Sequence, residues 1–367
     1  MEPRRGEFFS FLLLGLVVCA PAGVALAEYS GGLGTPEQPW RISTPNDLAT
    51  LSKTPGHWGN NFVQLLNIDM KGHDPIGPIG TSDARFTGTY QGAGFRILDL
   101  TLLGATQAQP GGDGLFGVVA GMGVDPVIQR VILENPMVLG ASQDTGALVG
   151  RLENGIVRWC GVKGGYVSGT TNTGGLAGQV LAQATVKECY STTFVMGAMR
   201  VGGLVGLNCG LVEECYCADN SVTHWGQWPT VPDSVDLGGL VGCNSTGRIT
   251  GCYANCARIW SQPSGFVSVH AGGLVGRWIL NPDEMPFPPF SFSNQDTPGL
   301  AWPTRNALGA PSSTDSTAWS NIVAQSVPMN ATSGWLLRQR STFKYWDFNY
   351  VWTIQDNDTP KLQEVPQ

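Results

Sequence analysis

The sequence predicts an all-β chain wound into a parallel solenoid, and three observations carry that expectation. The first is a five-residue word, Gly-(Gly/Ala)-Leu-(Val/Ala)-Gly, at 146–150, 174–178, 202–206, 238–242 and 272–276, preceded by the shorter Gly114-Leu115-Phe116-Gly117. Its leucines, Leu115, Leu148, Leu176, Leu204, Leu240 and Leu274, step by 33, 28, 28, 36 and 34 residues. Self-similarity at such a period marks an array of one supersecondary unit. The second observation is composition. Glycine supplies 50 of 367 residues and charged residues only 13%, against averages of about 7% and 25%. That balance favours tight turns and close strands over helices. The third is a set of columns that appears when the copies are aligned on the word. A cysteine recurs at Cys160, Cys189, Cys215 and Cys252, with an aliphatic residue three positions earlier at Val157, Val186, Val212 and Ile249. Another aliphatic residue follows at Val167, Val195, Val222 and Ile259, and the first copy joins with Ile128, Val131 and Val138. Side chains alternate faces along a strand, so two residues three apart face one core only if the chain bends between them. Each repeat therefore reads as several short strands joined by corners, stacked coil upon coil.

The elements follow in chain order. Residues 1–27 read as a secretory signal: Arg4 and Arg5, an apolar run from Phe8 to Val18, then Ala25-Leu26-Ala27 for cleavage after Ala27. Leu16-Val17-Val18-Cys19 approaches a lipoprotein box, but the bulky Val18 argues against that use. No later stretch has the length and apolarity of a membrane helix. Residues 28–113 read as an N-terminal cap with lead-in coils. Thr44-Pro45-Asn46-Asp47 is a helix start, which predicts a short capping helix over Pro45 to Lys53 with Leu48 and Leu51 inward. Residues 114–280 hold the repeat. Residues 281–367 lose it and read as loops with a C-terminal cap, with one helix near Thr317–Gln325 and a strand-like aromatic close from Trp346 to Ile354. Caps are expected because solenoid ends expose unpaired edges.

The word resembles the GLUG motif of bacterial secreted and surface proteins. Three further stretches carry the resemblance: Gly31 to Pro36 with Pro39 to Ser43, the lead-in residues Asn67 to Met70, Phe86 to Gly92 and Ile97 to Leu100, and the closing block Phe343 to Leu362. Where the family often has Asp-Gly-Asn-Gly-His, this chain has Gln91-Gly92-Ala93-Gly94-Phe95. The resemblance covers most of residues 29–362. It implies a right-handed parallel β-helix in an exported protein and brings no catalytic residues. Such proteins include adhesin-like chains and non-catalytic regions of secreted metallopeptidases. A bacterial source would leave the acceptor sequences Asn244-Ser245-Thr246 and Asn330-Ala331-Thr332 inert.

Function is less legible than fold. The net charge of −7 is unchanged by loss of the leader, which holds Glu2, Arg4, Arg5 and Glu7. A modestly acidic chain has no electrostatic footprint for nucleic acid. His57, His73, His224 and His270 form no His-Glu-x-x-His motif, and no Gly-x-Ser-x-Gly elbow occurs. The leading reading is a non-enzymatic surface protein for adhesion, with glycans or cell-surface proteins as partners and no cofactor or metal. The alternatives are a polysaccharide lyase or glycoside hydrolase, and a structural envelope component. The enzyme reading rests on Glu188 and Glu214, with Glu213 and Lys187 beside them. In-register coils stack Glu188 near Glu214, where paired carboxylates raise a pKa or attract a cation, unless both turn into water and splay apart. The ligand-binding candidates are His224, Trp225, Trp228 and Trp260, where the period stretches and loops are expected. The alternative is that these aromatics fold back over their own coil.

The cysteines divide in two. The four in the column read first as a buried ladder, because strand spacing near 4.8 Å exceeds the Cβ separation of about 3.8 Å that a disulfide prefers. Cys209 with Cys243, and Cys217 with Cys256, are the pairs that adjacent coils would permit to bridge in an exported protein. A metal reading of Cys215, Cys217, Cys252 and Cys256 matches zinc spacings poorly.

Overall fold

The computed structural model describes residues 28–104, 111–218, 220–225, 234–261 and 268–279, with short pieces at 292–294, 327–329, 347, 349–353, 360–363 and 365. The expected leader, the helix near Thr317–Gln325 and Trp228 lie outside the described residues. Apart from helix α1 (Pro45–Lys53) and a short 3-10 turn at Pro55–His57, the described elements are β-strands, almost all in parallel sheets.

One circuit of the chain visits four walls. Asp144–Gly146 lies in wall 1, Val149–Arg158 in wall 2, Gly161–Lys163 in wall 3 and Tyr166–Ser168 in wall 4. The next strand, Asn172–Gly174, returns to wall 1 and pairs in parallel with the strand that began the circuit, Asp144 opposite Asn172. Val149 then pairs with Ala177, Gly161 with Tyr190 and Tyr166 with Phe194. Each residue thus meets its counterpart one repeat later. The five-residue word is part of the ladder: Leu148, Leu176, Leu204 and Leu240 each donate their N–H to the carbonyl of the next word's leucine at 2.9–3.0 Å.

The word's glycines are required for space. None of them has positive φ. At the word the chain folds wall 2 back against wall 1, and the two backbones touch. A Cβ on the word's last glycine would collide with the wall 1 backbone of the preceding circuit: Gly178 with Thr145, Gly206 with Thr173, and Gly242 at 2.6 Å from the Val201 nitrogen. On the first glycine it would meet the carbonyl of the word's own fourth residue, as Gly202 meets Val205. The leucines between them point inward, all at 0% exposure.

The predicted bend is present, and its cause is visible. Val157 and Cys160, Val186 and Cys189, Val212 and Cys215, Ile249 and Cys252 are all buried. Between each pair the residue before the cysteine is left-handed: Trp159 at φ 56°, Glu188 at 51°, Glu214 at 54° and Gly251 at 63°, with Arg130 at 55° before Val131. That one reversed residue turns the chain from wall 2 to wall 3 and lets residues three apart share the core. A left-handed non-glycine residue costs about 1–3 kcal/mol, so the stacked core must over-determine it.

The front end is closed as its sequence indicates. Thr44 caps α1 through a 3.1 Å bond from the Asp47 N–H, and the Asp47 carboxylate accepts from the N–H groups of Ser43 and Thr44. Leu48 and Leu51 are fully buried in the common core. The back differs from expectation. The strands Trp352–Thr353 and Lys361–Leu362 form an antiparallel hairpin. This hairpin lies along the outside of wall 3, against the stacked rings of Tyr190, Tyr216 and Tyr253. Trp352 packs 6.2 Å from Tyr216 and 6.0 Å from Tyr253, and the Tyr253 hydroxyl donates to the Pro360 carbonyl at 2.5 Å. The described part of the close is therefore a strap along one side of the coil, drawn there by tyrosines that would otherwise leave a large apolar stripe in water.

Gly242→Ala is expected to lower stability by about 3 kcal/mol in chemical denaturation, because its neighbours are backbone and cannot yield. Gly77→Ala, with nothing within 4 Å of the added methyl, should stay within about 0.5 kcal/mol. Equal midpoints for the two variants would refute the close-approach account.

Candidate functional site

The outside of the coil carries the candidate chemistry. On wall 2 the outward register runs Gln129, Arg158, Lys187, Glu213, Thr250. Beside it run the left-handed residues Arg130, Trp159, Glu188 and Glu214. The stacked carboxylates do not splay into water. Lys187 Nζ lies 3.0 Å from Glu213 Oε2, 3.0 Å from Glu214 Oε2 and 3.9 Å from Glu188 Oε1. Glu188, only 8% exposed in its side chain, accepts the Trp159 Nε1–H at 3.0 Å. Partial burial pulls the Lys187 pKa down, but its bonds to Glu213 and Glu214 outweigh that and hold it raised. The cation that the stacked carboxylates attract is the chain's own lysine.

The stretched coils distribute their candidates differently. His224 is not in a protruding loop. It ends the wall 4 strand Ser221–His224, is 2% exposed, and shares a 3.0 Å hydrogen bond with the Ser261 hydroxyl of the next circuit. Its register partner in the preceding circuit is Gly197, so the wall continues through a position assigned to a loop. Trp225, the next residue, is 48% exposed. Trp260 lies on the outward side of wall 4, opposite Thr223, with the Arg258 guanidinium 4.9 Å from its ring centre.

The cysteine column is a ladder of thiols. The N–H groups of Cys160, Cys189 and Cys215 each approach the Sγ of the next column cysteine at 3.4 Å. Burial pushes the Cys189, Cys215 and Cys252 thiols well above their ordinary pKa. Cys209, Cys217, Cys243 and Cys256, the candidates for bridges, are also free thiols. Among the described residues no three His, Cys, Asp or Glu side chains gather as metal ligands.

Two polar or apolar arrays were not anticipated. Along the rim between walls 1 and 2, Asp144 accepts from Arg151 and from Asn172, each at 2.6 Å. Further along that column Arg200 reaches Asn172 at 3.1 Å, and His270 meets Asp236 at 2.8 Å. Burial raises the Asp144 pKa against the opposing pull of Arg151 and Asn172, as expected of a packed structural pair. The second array is the outward face of wall 4. Met137, Tyr166 and Phe194 stack in register on one line, and Leu103, Leu139, Ser168, Met196, Thr223 and Trp260 on the other. Leu103 is 51% exposed, Met137 49%, Leu139 42% and Phe194 37%. Tyr166 and Phe194 stack at 5.5 Å with planes 16° apart. The signal was in the sequence: Met137-Val138-Leu139 and Phe194-Val195-Met196 are apolar on both faces, where a half-buried strand alternates.

Residues 233–255 match the family described as "The GLUG motif". That stretch carries the GLUG motif. The chain is also 29% identical over 215 residues to halomucin of Haloquadratum walsbyi, a match covering 54% of this chain and 2% of halomucin. Its fold matches the crystal structure of a Bacteroides ovatus protein described as a candidate immunoglobulin A1 protease. That match has a TM-score of 0.68 at 18% identity, over 92% of this chain and 96% of the other. At that identity the likeness concerns the fold. No helix among the described residues is long and apolar enough to cross a membrane.

Two outcomes test the site chemistry. Alkylation of the native chain at pH 8 should label Cys209, the one half-buried thiol among the described residues, and spare the buried ones. Denaturation without reductant should then release every thiol from Cys160 to Cys256, whereas loss of thiols in pairs would reveal bridges. Separately, Lys187→Met should cost about 1 kcal/mol, the scale of a half-exposed ion cluster, seen as a lower denaturation midpoint.

Proposed function

We propose that the chain is a secreted or surface-exposed, non-enzymatic, right-handed parallel β-helix that works by contact, with its leader removed after Ala27. The GLUG motif and the halomucin likeness support an exported location. The observation that carries the functional reading is the outward face of wall 4. The Tyr190, Tyr216 and Tyr253 stretch of wall 3 is covered by the C-terminal hairpin, and the carboxylates at the wall 2 corner are held by Lys187. Wall 4 keeps half-exposed Leu103, Met137, Leu139 and Phe194 in register. Contiguous apolar surface of this kind marks an interaction face. Its first circuits present Leu103, Met137 and Leu139, and the next two offer the stacked rings of Tyr166 and Phe194, which suit the C–H face of a sugar ring. We assign the aromatic half to glycans on a neighbouring surface, with Trp225 at its edge.

The carboxylates support this reading over a lyase or hydrolase. Acid–base catalysis needs a pair poised to exchange protons with substrate, and Glu188 and Glu214 are committed to Trp159 and Lys187.

A glycan array should show binding by the wild-type chain and a loss of at least tenfold, about 1.4 kcal/mol, in Tyr166→Ser/Phe194→Ser. Unchanged binding in that variant, or no binding by the wild type, would remove the wall 4 assignment. Release of unsaturated or reducing sugar from a polysaccharide, abolished in Glu188→Gln/Glu214→Gln, would restore the enzyme reading.

A further inference from the structure

Wall 4 dips where one strand carries short side chains between two that carry long ones. The strands Phe194–Gly197, Ser221–His224 and Arg258–Ser261 lie side by side in that order. Met196 stands opposite Thr223, Thr223 opposite Trp260, and Ser221 opposite Arg258. Val222 between the two hydroxyl residues is fully buried, so Ser221 and Thr223 face outward. On one side of them rise Phe194 and Met196, and on the other Arg258 and Trp260. Strand side chains stand roughly perpendicular to the sheet. The flanking strands are two spacings apart, about 9.6 Å. The outward surface therefore sinks into a slot along Ser221 and Thr223.

The slot combines three kinds of group. Its floor is two hydroxyls, and among the described residues neither has a hydrogen-bond partner. One side carries the Phe194 ring, 37% exposed, and the other the Trp260 ring. Arg258 is exposed, with its guanidinium 4.9 Å from the Trp260 ring centre and, among the described residues, no carboxylate beside it. Arginine can stack on an aromatic face while its planar fork of N–H groups serves a carboxylate. A pyranose ring has matching parts: C–H surface for the rings and hydroxyls for the floor. A carboxylate on that ring completes the match with Arg258.

We propose that this slot is a subsite for one hexuronate residue of an acidic glycan. Its C–H surface lies against Phe194 and Trp260, its hydroxyls meet Ser221 and Thr223, and its carboxylate meets the Arg258 fork. The subsite rests on the glycan reading of wall 4 and names the sugar class that the reading leaves open.

The test measures binding of the full chain, by calorimetry, to oligogalacturonate, to oligomannuronate and to the methyl ester of each, which keeps the ring and removes the charge. The wild type should bind at least one oligouronate and bind its ester at least tenfold more weakly. Arg258→Gln should lose at least tenfold on the acid and then bind acid and ester alike, whereas a merely structural arginine would weaken both by the same factor. Valine suits an outward strand position, so Ser221→Val/Thr223→Val should melt as the wild type does and yet lose at least tenfold. Leu103→Ser, four circuits away on the same wall, should leave binding unchanged. Equal binding of acid and ester by the wild type, or wild-type affinity in either slot variant, would overturn the proposal. Binding of neither oligouronate, with other glycans still bound on the array, would overturn the subsite and leave the wall 4 reading standing. Silence on both would remove the two together.

Discussion

The structure depends on one contact, the meeting of two backbones with no side chain between them. Where wall 2 folds back on wall 1, the last glycine of each word lies against the peptide of the preceding circuit. A single methyl there would force the walls apart, and the inward leucine would lose its seat. The word is thus a spacer of zero thickness with an anchor in its middle. Every other regularity follows from it. Once the walls are fixed at that distance, the leucine carbonyls fall in line, the strands of successive circuits pair in register, and the remaining corners must turn within a set number of residues.

Much of this is legible because it repeats. The spacing between Val157 and Cys160, or Val186 and Cys189, requires a bend, and the bend is the left-handed residue between them. Thr44 and Asp47 declare the helix because capping is a local transaction within four residues. What escaped is non-local or too short to show a period. The hairpin that covers Tyr253 reaches it across 107 residues, and no spacing rule links them. His224 was assigned to a loop because the repeat lengthens after it, yet the wall 4 strand runs on through it. The wall 4 strands mostly span three or four residues, too few for alternation to stand out, so an apolar outer face was hidden beside an apolar inner one.

The outward faces then divide the labour. The tyrosine stretch of wall 3 is covered by the C-terminal hairpin, the wall 2 corner is a polarised strip of charges, and wall 4 carries an apolar stripe. A repeat fixes the inside alone, so each outward position is open to selection for its surroundings.

The hairpin has a mechanical consequence. Neighbouring circuits hold one another through short ladders and a shared core, and a pull along the axis would load them one after another. The hairpin packs across the Tyr190, Tyr216 and Tyr253 circuits together. It acts as a clasp that loads several circuits at once and makes them yield together.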